Sequence, residues 1–282
     1  MDLINKFLKR NKYIISLLYF PVIYFLGWII ISILIYPFPK LFLNKSLYGT
    51  IFTFIIFLLS LPFWSKYKWR QNLFQLLGAI KLNKKNSLFL LVIEFVKALC
   101  VILSICLMAL IAGYANFFVS ISIPIILNSL FLGFLVGFAE ELVFRVWLFE
   151  ELKYYFKNKY ANILQAIIFS LVHLRSDLNL MNNAQLLIGL FLLGLYLNRW
   201  RENKNSSILM PICFHASIVS LWFFITNSLL HIRPNIPKIL FGPGEGIDIN
   251  PVGGFLGIII LVILCFNKNS KDNNFLSKRI LN

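Results

Sequence analysis

Two adjacent carboxylates, Glu140 and Glu141, and a cation, Arg145, stand at the end of an otherwise apolar run from Gly133, and two histidines, His173 and His215, stand in later apolar runs. Carboxylates and imidazoles are the side chains that take up and return protons, and one glutamate with two histidines is also a donor set for a divalent metal. Such groups are costly in an apolar setting. An ionisable side chain at the centre of a membrane helix costs roughly 3 kcal/mol on insertion scales, so it faces a bundle interior or a wet cavity. On a helix, Gly133, Gly137, Glu141 and Arg145 recur at every fourth residue and form one stripe, with Glu140 about 100° round the axis. The spacing of Glu141 and Arg145 predicts an ion pair that orients the acid. The two glycines would let a neighbouring helix come close beside the acids.

The elements that must position these groups are membrane helices. With 59% hydrophobic and 13% charged residues over 282 positions and a mean hydropathy of +0.80, the chain is too apolar for a soluble globule and reads as a polytopic, all-α membrane protein. The net charge of +16 sits in short clusters between apolar runs, the pattern of cytoplasmic loops; nucleic-acid binding is set aside on that ground. All four cysteines, Cys100, Cys106, Cys213 and Cys265, fall within apolar runs without CxxC spacing and read as small buried hydrophobes. The first apolar run follows a basic start but is longer than a signal-peptide core and lacks a small-residue cleavage site, so it is kept as a helix.

Hydropathy places eight spans at 13–36, 49–64, 87–113, 123–149, 161–175, 184–199, 207–230 and 252–267, several of them shorter than the ~20 residues of a full crossing. Alternate loops carry twenty Lys and Arg on one side against five on the other, which puts both termini in the cytoplasm of a bacterial-type cell membrane. Residues 1–12 then form a cytoplasmic segment, 13–267 a single membrane-embedded domain with its motifs at about 120–230, and 268–282 an Asn/Lys-rich cytoplasmic tail. Within 65–86, Leu73, Leu76, Leu77 and Ile80 share a helical face and suggest a helix lying in the interface. The longest outer loop, 231–251, carries turn signals at Gly242-Pro243-Gly244-Glu245-Gly246.

Counted from the cytoplasmic ends of their spans, Glu140, His173 and His215 lie at roughly 12–18 Å depth, so three separately placed polar groups meet at one level. Glu94 and Lys97, three apart on another helix, read instead as a self-neutralising pair. His231 falls at an outer helix end.

The set Glu140-Glu141-x-x-x-Arg145, then Phe169-x-x-x-His173, then His215 in a later helix, resembles the three motifs of the CPBP intramembrane proteases, the family of type II CAAX prenyl endopeptidases and bacteriocin-processing or immunity proteins. The resemblance covers about 120–230. It implies an all-helical intramembrane hydrolase, metallo- or glutamic in type, in which Glu140 activates water, Glu141 and Arg145 support it, and His173 and His215 stabilise the oxyanion or bind a metal. One departure stands out. The family's last motif usually has Asn or Asp four residues after the histidine, whereas this chain has Val219, with Ser217 and Ser220 nearby.

Peptide hydrolysis needs an activated water, a stabilised oxyanion and a proton for the leaving amine, and a glutamate base that returns its proton as an acid supplies two of these. Glu140, His173 and His215 also make up a three-ligand zinc site with a position left for water. The expected substrate is a membrane-associated protein or peptide, and the bilayer is the other partner. Two other readings use the same residues: a non-catalytic binding or immunity protein of the same fold, which Val219 favours, and a proton-coupled carrier, which would show inverted repeats that this sequence lacks. The charge asymmetry is directly testable. In a cysteine-free background, a single cysteine at Asn158 should be shielded from an impermeant thiol reagent applied outside, and one at Asn235 should react; the reverse pattern would refute the orientation.

Overall fold

The computed structural model describes residues 12–37, 45–73, 77, 84–202 and 207–266. Contacts divide the chain into two compact units, Met1–Ile80 and Lys81–Asn282; the membrane domain expected over 13–267 covers both, and each is described by itself. In the first, α1 (Lys12–Ile35) packs on α2 (Lys45–Trp64), which runs on into a π-helical turn, Ser65–Trp69. Their seam is aromatic: Phe57 is enclosed and meets the ring of Phe20 edge-on at 5.5 Å, while Tyr19 stacks on Trp64 at 4.2 Å. Arg70, in the left-handed region at φ 52°, ends the turn. Of the expected interfacial helix, Leu76 and Ile80 lie outside the described residues.

The second unit begins with α3 (Lys84–Ile111) and a short strand, β1 (Ala115–Phe117), and continues with α4 (Ile123–Glu141), a π-helical stretch (Leu142–Leu148) and α5 (Phe149–Tyr155). Then come α6 (Asn158–Leu171), α7 (Leu180–Glu202), α8 (Leu209–Ser228), β2 (Leu230–Ile232), α9 (Lys238–Phe241) and α10 (Phe255–Phe266). β1 and β2 pair antiparallel with Ala115 opposite Ile232, and His231 is exposed on β2. Ser122 caps α4 by accepting the Ile125 N–H, and Pro124 occupies the first turn, where its missing N–H costs nothing. α8 lies along α4 and also against α3, while α7 is flanked by α6 and α10. Beyond α8, the expected turns are present: Gly242 and Gly244 adopt φ of 124° and 119°, values that a side chain would strain.

Leu130, Phe131, Phe134 and Leu135 stand exposed along α4, an arrangement suited to lipid rather than water. The chain is an integral membrane protein with an all-α helical architecture. Among the described residues six helices are long and apolar enough to cross a bilayer, ending at Ile35, Trp69, Ile111, Tyr155, Arg201 and Ser228, against the eight expected. The other two expected spans are short. α6 has 14 residues and breaks at Val172, and α10 has 12 because a 3₁₀ turn at Pro251–Gly253 takes up its expected start.

Glu94 and Lys97 do pair, at 2.6 Å, but a third residue completes the arrangement. The enclosed Glu94 carboxylate also accepts the Tyr196 hydroxyl at 2.7 Å, which joins α3 to α7. Tyr196→Phe therefore leaves a buried carboxylate oxygen without its donor and should destabilise the protein by roughly 1–3 kcal/mol. Thermal melting in detergent checks this, with Tyr160→Phe on an exposed ring as the control; equal melting of both variants would show that the bond contributes nothing.

Candidate active site

The stripe on α4 comes to rest against α8. A Cβ on Gly137 would stand 2.9 Å from the Ala216 nitrogen and 3.0 Å from its Cα, so only glycine lets the backbone of α8 lie this close to the acids. A Cβ on Gly133 would collide with Ser220 and with the Ala216 carbonyl. His215, one residue before Ala216, is thereby laid over Glu141: its Nδ1 is 2.8 Å from Glu141 Oε1. The other oxygen, Oε2, lies 3.1 Å from Arg145 Nε, within ion-pair range although the N–H is not aimed along the line. Glu141 and Arg145 are both fully enclosed.

Arg145 does not sit on a regular helix. From Leu142 to Leu148 the chain follows the wider π-helical path, every residue of it buried. Such turns are uncommon and cluster at functional sites. The carbonyl of Arg145 accepts a bond from Arg201 Nε at 3.3 Å, and Arg201 also reaches Glu150 at 3.5 Å. The guanidinium lies 4.2 Å over the ring of Phe169, a cation on the negative face of a π system. That ring also contacts His173 at 4.9 Å and His215 at 6.2 Å between centroids. Phe169 is thus the common floor beneath Arg145 and both histidines.

His173 does not lie inside a helix as hydropathy suggests; it stands in the turn just after α6, two residues beyond Leu171. Its Nδ1 is 2.7 Å from the Phe169 carbonyl, and because a carbonyl only accepts, that nitrogen carries the proton. Nε2 then faces Glu140, with 3.6 Å to Oε1, and His215 Nε2 faces the same carboxylate with 3.8 Å to Oε2. Both gaps exceed a direct hydrogen bond. Glu140 is 26% exposed while Glu141 is wholly buried, so only the first can meet a reactant.

All five residues singled out in the sequence, Glu140, Glu141, Arg145, His173 and His215, therefore converge on one site. Phe169 appeared in the sequence only as the start of the motif Phe169-x-x-x-His173, with no role given to it, and Arg201 carried no signal. Val219 follows His215 by one helical turn and offers no polar group. The chemistry of Glu140, His173 and His215 suits zinc, since each imidazole has its Nδ1 fixed by an acceptor, as in metal-bound histidines. Their spacing does not: among the described residues no group of three His, Cys, Asp or Glu side chains is placed to hold an ion.

Residues 122–221 match the family described as type II CAAX prenyl endopeptidase Rce1-like. The chain carries an Rce1-like domain of the CPBP intramembrane protease type. The match covers about a third of the chain and takes in all five converging residues, stopping just short of Trp222. Residues 3–73 match a domain of unknown function, DUF8676, which coincides with the first unit. No curated protein and no solved structure gives a match.

The enclosed ion pair makes a prediction. Arg145→Ala leaves the Glu141 carboxylate buried without its cation, a loss on the order of 3–5 kcal/mol, and folded yield in membranes should fall sharply. Adding Glu141→Gln, which removes the stranded charge, should restore much of that yield. If Arg145→Ala alone is produced and melts like wild type, the pair is not what holds this site together.

Proposed function

We propose that the protein is an intramembrane endopeptidase that hydrolyses a peptide bond of a membrane-associated protein or peptide with water activated by Glu140. The single observation that carries this reading is the convergence of two fixed imidazoles on one partly exposed carboxylate, within a segment matched by an endopeptidase family. A water between Glu140 and His173 gives its proton to Glu140 while its oxygen attacks the carbonyl carbon of the scissile bond. The oxyanion is met by His215. Its ring is held over the site by Glu141, and its Nε2 faces Glu140. Its Nδ1–H stays on Glu141, which keeps the ring oriented as the charge changes hands. As the C–N bond breaks, Glu140 returns the proton to the leaving amine, and both products depart with balanced charge.

A zinc enzyme in which Glu140, His173 and His215 would hold the ion, which would supply a Lewis acid for the water, is the second reading; it rests on the donor types of these residues and not on their spacing. The charge split supports an orientation with both termini in the cytoplasm.

The test follows cleavage of a membrane-tethered peptide library by purified protein in bilayers. Glu140→Gln keeps size and hydrogen bonding but cannot take the proton, so cleavage should fall by ~10²-fold or more at little cost in folded yield. Equal cleavage by both forms sinks the assignment. Cleavage lost on chelation and regained with zinc selects the metal reading, and no cleavage by either form moves weight to a non-catalytic binding role.

A further inference from the structure

His173 has to present Nε2 to Glu140 from outside any helix. The helical ladder of α6 reaches it only through its own N–H, which donates to Ser170 O at 3.0 Å, and through Leu174 N–H to Leu171 O at 3.2 Å. Beyond that the chain turns through 174–179 before α7 begins, with one backbone bond of its own, from Leu178 N–H to Arg175 O at 3.4 Å.

One side chain adds three more. Asn183, half-buried in the first turns of α7, accepts the Arg175 N–H on Oδ1 at 3.1 Å, and its Nδ2 donates to Arg175 O at 2.8 Å and to Leu178 O at 3.0 Å. These bonds use both amide hydrogens and the carbonyl, and the three backbone partners admit only one orientation of the amide, since carbonyls accept and an N–H donates. Asn183 is itself anchored. Asn179 Oδ1 caps α7 by accepting the Asn182 N–H at 2.8 Å, and the Asn183 N–H reaches Asn179 O at 2.9 Å. On its far side the same turn is tied down by the Arg175 guanidinium, which forks on Asp177 at 3.2 and 2.6 Å and donates to Asp248 O at 3.2 Å. The Arg175 backbone, two residues from His173, is therefore bridged to the rigid start of α7 by one amide.

We infer that Asn183 is a positioning residue for the proposed hydrolysis: by bridging Arg175 and Leu178 to α7 it fixes the turn that aims His173 at Glu140. This rests on the role given to His173 above. A displacement of about 1 Å at a reacting group can cost up to 10²-fold in rate; the His173 ring is held on the Phe169 carbonyl, and Asn183 adds the bond that joins the backbone two residues on to α7.

The experiment uses the full chain in bilayers, with two variants. Asn183→Asp has the same shape and still accepts the Arg175 N–H, but it sets an oxygen against the two carbonyls; Asn183→Ala removes all three bonds. Expected are a fall in kcat per folded molecule of ~10-fold or more with KM within about twofold, and faster amide hydrogen exchange over 173–178 with exchange in α6 unchanged. A scaffold-only role would lower folded yield and leave kcat per folded molecule as in wild type; that result, in both variants, overturns the inference. If the wild type cleaves no peptide, the proposed function fails on that ground alone and exchange decides the rest. Unchanged protection over 173–178 then overturns the role of Asn183, and lost protection supports it as the residue that holds the His173 turn.

Discussion

The wholly buried carboxylate of Glu141 is the constraint on which the second unit depends. Removing a charge from water costs several kcal/mol even after relaxation, and the cost is offset only if both oxygens find good partners. His215 on α8 meets one and Arg145 meets the other. Each partner imposes a demand on the fold. His215 can reach only if α8 lies directly on α4, which the absence of a side chain at Gly137 permits. Arg145 has to be enclosed beneath the acid, and the π-helical stretch that carries it is held at the Arg145 carbonyl by Arg201. The enclosed guanidinium then rests on Phe169, the ring that also backs both histidines.

Much of this was legible in the sequence, for a reason that also marks its limit. The stripe Gly133, Gly137, Glu141, Arg145 is a local pattern, set by the helix repeat, and it identified the packed face and the ion pair together. The motif histidines were legible as polar groups in apolar runs. What hydropathy did not show is where a helix stops. An apolar run looks the same whether it is helix or turn, so His173 was placed inside a span although α6 ends before it. The same blindness bears on the eight expected crossings, a count that the six long apolar helices among the described residues do not confirm. Tyr196, Arg201 and Asn183 gave no signal at all, because each acts on a group brought to it by tertiary packing: Tyr196 meets Glu94 from a helix a hundred residues along the chain.

The short helix α6 has a physical consequence for chemistry. Fourteen residues rise about 21 Å, less than the ~30 Å of a hydrocarbon core, so α6 does not cross a bilayer by itself, and the turn that follows leaves backbone groups outside any helical ladder. Such backbone is tolerated where side chains satisfy it or a wet cavity lies beside it. Both conditions are useful here. The amide of Asn183 satisfies the turn, and the histidine the turn carries opens onto the partly exposed Glu140, where a hydrolase must admit water.

Val219 sharpens the division of labour between the two acids. With no polar group one turn after His215, under the proposed hydrolysis the donor for a developing oxyanion on α8 would be His215 alone, whose ring is bonded to Glu141. The Glu141–Arg145 pair then meets two demands at once: it offsets a charge that the fold has buried, and its carboxylate holds the His215 ring. Glu140 meets neither. It is partly exposed, it is not the partner of Arg145, and its oxygens stand beyond hydrogen-bond distance of both imidazoles. A partly exposed carboxylate short of its partners is open to a proton from water, whereas one enclosed between the bonded His215 ring and the Arg145 cation is shut off from it. Two glutamates adjacent in sequence are thus separated into an enclosed, paired acid and a partly exposed one by about 100° of helix rotation.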